Sequence, residues 1–203
     1  VVPRTTKLWS TGIINLHGGS LTTGSLDNSD AGAFNFHNGT LTVNGAGGSF
    51  NPGSTGFTID GFGAADLPHL VIAGTASATL PGSLTIGASQ RGKLTVESGA
   101  VVSNADGSLG YEEGSTGVAT VTGTGSQWNN SGDLVVGEEG DGTLNIENEG
   151  LVTVGGTTSI GATGTVNLTG GRFEFGQTSL VEFSTINTTA GAMAGDVMIT
   201  GVN

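Results

Sequence analysis

Apolar and polar residues alternate along most of this chain with a period of two, in short bursts separated by glycine. In Gly92-Lys-Leu-Thr-Val-Glu, Leu94 and Val96 share one face while Lys93, Thr95 and Glu97 take the other. The phrase Gly-x-apolar-x-apolar begins again at Gly117, Gly142 and Gly164, at spacings of 25, 25 and 22 residues. It places Ala119 and Val121, then Leu144 and Ile146, then Val166 and Leu168 on the equivalent face. A second burst precedes each copy and ends in glycine: Leu84-Thr-Ile-Gly87, Ser108-Leu-Gly110, Leu134-Val-Val-Gly137 and Ser159-Ile-Gly161. A third follows: Gly99-Ala-Val-Val, Gly125-Ser-Gln-Trp, Gly150-Leu-Val-Thr-Val and Gly171-Arg-Phe-Glu-Phe. Three short strands with glycine corners, recurring every 20 to 25 residues, predict an all-β, right-handed parallel β-helix (a β-solenoid). Its core is expected from Leu94, Val96, Val121, Leu144, Ile146, Val166 and Leu168, with Gly92, Gly117, Gly142 and Gly164 as structural glycines, and the glycines that end the second burst are expected to turn corners.

A longer phrase carries the same plan. It reads Ile14-Asn-Leu-His-Gly-Gly-Ser-Leu21, Phe34-Asn-Phe-His-Asn-Gly-Thr-Leu41 and Val166-Asn-Leu-Thr-Gly-Gly-Arg-Phe173. Laid out on rungs, its apolar pair points inward, its glycine turns and its His is replaceable. One β-solenoid fragment is expected over residues 1–203. Residues 1–10 read as a cap or a truncated rung, 11–43 and 81–203 as regular rungs, and 44–80 as rungs with long loops. Pro52, Pro68 and Pro81 are expected between strands, and His69 in a loop.

Composition narrows the function classes. With 39 Gly, few Pro and no triplet period, the chain is not collagen-like. A net charge of −12 makes nucleic acid and anionic membranes poor partners. The absence of cysteine rules out disulfides and thiolate metal sites. No apolar stretch is long enough to span a membrane.

The segment Ser108-Leu-Gly-Tyr-Glu-Glu-Gly-Ser-Thr-Gly-Val-Ala-Thr-Val-Thr-Gly-Thr-Gly-Ser-Gln-Trp-Asn-Asn-Ser-Gly-Asp-Leu-Val-Val-Gly137 resembles the repeats of bacterial autotransporter passengers and of PEP-CTERM-associated surface proteins. The similarity is good from about Leu84 to Phe175 and looser from Ile13 to Val43. It implies an exported β-helical stalk, extracellular or at the bacterial cell surface, without enzyme activity in the repeats. The family's repeats carry no defined catalytic or ligand residues, so none is carried over. The translocating barrel of the one group and the sorting helix of the other are not in this sequence.

Three sets of residues are candidates for chemistry. Glu112, Glu113, Glu138, Glu139 and Asp141 fall at one corner of successive rungs, where calcium could bridge them, although an exposed acidic corner is the favoured reading. Arg91 and Lys93 at the same corner of the preceding rung are expected to pair with part of that charge. His17 and His37 share a place in two copies and are expected to stack, with a surface ladder preferred over a transition-metal site. The outward row Thr95, Thr120, Asn145, Asn167 suggests an ice-binding lattice, but Lys93, Glu97 and Glu147 at its edge spoil it. No catalytic constellation appears and no cofactor is implied. The expected function is therefore a structural or adhesive rod that partners itself, as filaments, or surface glycans. The alternative is a carbohydrate-binding or polysaccharide-degrading β-helix.

Overall fold

The computed structural model describes residues 4–180 and 184–199. Its described residues form parallel strands stacked as a β-solenoid with three faces. The first face is an eight-stranded ladder: Ile13–Thr23, Ala33–Val43, Pro68–Ala73, Arg91–Glu97, Thr116–Thr122, Asp141–Glu147, Gly164–Thr169 and Thr185–Thr189. The second begins at Thr5–Lys7 and passes through Ser25–Asp27, Ser49–Asn51, Ser77–Thr79, Val101–Asn104 and Gln127–Asn130. The third runs through Phe57–Ile59, Leu84–Ile86, Gly107–Leu109 and Leu134–Val136. Both merge at the long strand Leu151–Ile160, which rounds a corner at an irregularity between Val154 and Thr157 and keeps pairing on either side. That one strand joins two faces into a single 13-stranded sheet.

The repeat period becomes register. Gly92, Gly117, Gly142 and Gly164 are direct partners, and so are Leu94, Ala119, Leu144 and Val166. Inward residues therefore stack on their own kind. Leu94, Val96, Val121, Leu144, Ile146, Val166 and Leu168 are all buried, in one core that runs from Leu16 to Phe175. Parallel strands lie about 4.8 Å apart, so seven steps along the first face span about 34 Å.

Two columns of glycine recur along the repeats, for different reasons. Gly87, Gly110 and Gly137 turn the corner after the third face with φ of 69°, 66° and 73°, where any Cβ is strained. Gly92, Gly117, Gly142 and Gly164 have ordinary backbone angles and do not turn corners. They sit within or at the start of their strands, pressed against neighbouring backbone, and a Cβ on Gly117 would collide with the Ile86 carbonyl oxygen.

The irregular segment stays in the stack. Its strands Ser49–Asn51, Phe57–Ile59, Pro68–Ala73 and Ser77–Thr79 all pair with regular rungs. Pro52 and Pro81 lie between strands, but Pro68 is the first residue of one, opposite Gly39. A first-position proline removes no donor that an internal ladder needs. His69 is likewise a strand residue and not a loop residue. It sits opposite Lys93 and Thr40, half-buried, because Leu70 and Ile72 are drawn into the core on either side of Val71.

Candidate functional site

The acidic corner is built on backbone stacking. Glu138 and Glu139 donate their amides to the carbonyls of Gly110 and Tyr111, and Glu112 donates to Ala88, so carboxylates of successive rungs share one edge. All four glutamates and Asp141 are solvent-exposed. Among the described residues no three His, Asp or Glu side chains come together to hold a metal ion. Exposure, which lets water screen the repulsion, accounts for their tolerance of one another. The expected ion pairs with Arg91 and Lys93 do not form among the described residues. Asp141 shares a column with Arg91 but lies two tiers away, with Thr116 between them. The salt bridges of the described residues are elsewhere, Lys7 with Asp27 and Asp30, and Arg172 with Glu174.

The two histidines do meet. The rings of His17 and His37 are 5.3 Å apart at 56°, and a third ring continues the column: Phe62 meets His37 edge-on at 5.8 Å. The outward row is a hydrogen-bonded ladder. Asn187 donates to Asn167 at 2.8 Å, Asn167 to Asn145 at 2.8 Å, and Asn145 to Thr120 at 3.4 Å. His69 Nε2 lies 2.8 Å from Thr95 Oγ1 at the other end of that row. Burial, and after it the charge of Lys93, hold the His69 pKa down to about 4.

Two arrangements have no counterpart in the sequence expectations. The first is a buried polar node at the corner between the second and third faces. Trp128 Nε1 donates to Asn104 Oδ1 at 2.6 Å, and Asn104 Nδ2 donates to Asn130 Oδ1 at 2.7 Å. All three residues are buried. The node ends upward because the next residues in the column are Val154 and Phe175. Its signal in the sequence is an asparagine at the same place in Val-Val-Ser-Asn104 and Gln-Trp-Asn-Asn130.

The second is an aromatic cleft on the third face. The strand Phe57–Ile59 pairs with Leu84–Ile86 on one side, but the leading half of Ala33–Val43 runs past its other side without a ladder between them. The gap is a cleft of about 460 Å³. Phe34 stacks on Phe57 at 6.2 Å and 11°, and Phe34 on Phe36 at 5.9 Å and 15°. Thr58 and Ser89 bring hydroxyl-bearing side chains to the lining. Phe62 stands at its edge with 82% of its surface exposed. The sequence signal is crowding: Phe34, Phe36, Phe50, Phe57 and Phe62 are five of the eight phenylalanines in the chain, all in or beside the irregular segment.

The loop that carries Phe62 is pinned. Gly61 donates its amide to the Arg91 carbonyl at 2.9 Å, and Gly63 to Asp66 Oδ2 at 3.0 Å. Asn38 Nδ2 donates to Asp66 Oδ1 at 2.9 Å, and Leu67 donates back to Asn38 Oδ1 at 3.2 Å. The Asp60 carboxylate is also fully engaged. It accepts the amides of Ala88, Ser89 and Gln90 and the Ser89 hydroxyl, at 2.8 to 3.1 Å.

Comparison of the chain with protein-family models, with curated proteins and with solved structures finds no match.

Proposed function

We propose that this chain is the structural and adhesive repeat rod of a secreted or cell-surface bacterial protein. The observation that carries this reading is the register itself. The periodic residues stack tier on tier, so what repeats in the sequence builds the core, the glycine columns and a neutral Thr/Asn outer row. Solenoids of this kind supply length and a continuous surface, and each rung is stabilised only by its neighbours. The acidic charge, the cysteine-free composition and the resemblance of the Ser108–Gly137 repeat support an exported setting. Polysaccharide hydrolysis is the weaker reading. It calls for two free carboxylates flanking a glycosidic bond, whereas Asp60 and Asp66 beside the cleft are bound to backbone amides and Asn38.

Antibody labelling of intact, non-permeabilised cells of the source organism tests the location. Surface or secreted signal is expected, and signal only after permeabilisation contradicts it. End-to-end filament formation is the corollary that electron microscopy of the purified chain reads.

A further inference from the structure

A large apolar side chain that is both exposed and rigid calls for a reason, because burying or loosening it would lower the free energy of an isolated rod. Phe62 is held out by a loop fastened through Gly61, Gly63 and Leu67, and its ring completes a column with His37 and His17. Below it the stacked Phe34 and Phe57 rings offer an apolar wall, with Thr58 and Ser89 beside it. The volume, about 460 Å³, lies within the range of about 300 to 1,000 Å³ that small-molecule sites occupy.

The lining also restricts what fits. The Asp60 carboxylate accepts four hydrogen bonds from the next rung, so it is spoken for and offers no free charge to a cation. No Lys or Arg lines the cleft to receive an anion. The exposed Phe62 ring above an apolar wall, with the Thr58 hydroxyl and the accepting lone pairs of the Ser89 hydroxyl beside it, suits a neutral molecule that is apolar on its faces and polar around its rim. A pyranose ring is such a molecule: its axial C–H groups meet the electron-rich ring faces and its equatorial hydroxyls reach side-chain and backbone partners. The geometry points to a binding site for a neutral glycan segment, with Phe62 as the stacking platform at the mouth and Phe34 and Phe57 as the inner wall. The inference rests on the adhesive half of the proposed function and gives it a place on the rod. A preformed platform loses little conformational entropy on binding.

The test is titration calorimetry of the whole chain against cellohexaose, xylohexaose, maltohexaose and chitohexaose, with tetramethylammonium chloride as a cationic probe. At least one hexasaccharide is expected to bind. Phe62→Ala is expected to weaken that binding by about tenfold, and Phe62→Trp to keep it, with both melting temperatures unchanged. Absence of binding by all four, or binding that Phe62→Ala leaves intact, overturns the site. Binding of tetramethylammonium alone overturns the neutral-glycan assignment. A Phe62-dependent dimer in sedimentation without glycan binding shows that the platform meets a second copy instead. None of these outcomes bears on surface location, so the site and the rod's setting fail separately.

Discussion

His69 gives the most accessible handle on a single residue of the stack. Its imidazole is half-buried in the first face beside Lys93, and both burial and that charge disfavour protonation, taking the pKa from 6.5 to about 4. Between those values the unfolded chain binds a proton that the folded chain refuses. The contribution of His69 is therefore complete above about pH 6.5, is lost as the pH falls toward 4, and is constant below. Its partial exposure keeps the effect modest. His69→Gln is expected to remove it, so that the melting-temperature gap between the parent and the variant narrows on going from pH 7 to pH 4.5. A gap that stays constant would contradict the assignment. At the second face Asp27 works at a lower pH. The Ser29 amide first, then Lys7, hold its pKa down to about 2, so it contributes above the ordinary carboxylate range and is lost as the pH falls through 2.

Among the strands, what sets the stability of the repeat is how closely neighbouring backbones approach. Gly117 faces the Ile86 carbonyl with no room for a methyl group, and its column partners Gly92 and Gly142 are pressed in the same way, against the Ile59 and Leu109 carbonyls. Gly117→Ala is expected to cost about 2–4 kcal/mol in urea unfolding, because the obstacle is backbone and cannot turn aside. Thr143→Ala, one position along and outward on the adjacent strand, is expected to stay within about 0.5 kcal/mol. Equal effects would show that the glycine column does not make the contact described. The period of two and the recurring glycine made these strands and their inward faces legible from the residues alone, since both follow from local geometry. The reason for the glycines was not legible, because the collision is with a strand of a different face in the preceding rung. Pro68 and His69 were misplaced for a related cause: a proline reads as a break, yet a strand can begin on one. The cleft depends on two strands that fail to pair, and pairing partners are not written in local alternation. Only the crowding of phenylalanines near residues 34–62 hinted at it.

At the scale of the whole molecule, the chain carries −12 charge on a rod whose neutral outer row is bonded from tier to tier. Solubility then comes from exposed acidic corners, and rigidity from the stacked core and the buried Trp128–Asn104–Asn130 node. One column climbs the first face in register: Thr22, Thr42, Val71, Thr95, Thr120, Asn145, Asn167 and Asn187. The absence of native cysteine makes spin labelling clean. Pulsed electron spin resonance between a label at Thr22→Cys and partners at Thr120→Cys, Asn145→Cys, Asn167→Cys and Asn187→Cys measures that column directly. Backbone separations of about 19, 24, 29 and 34 Å are expected, rising by about 4.8 Å per tier. Distances that level off, or that fail to rise in that order, would contradict the stacked rod.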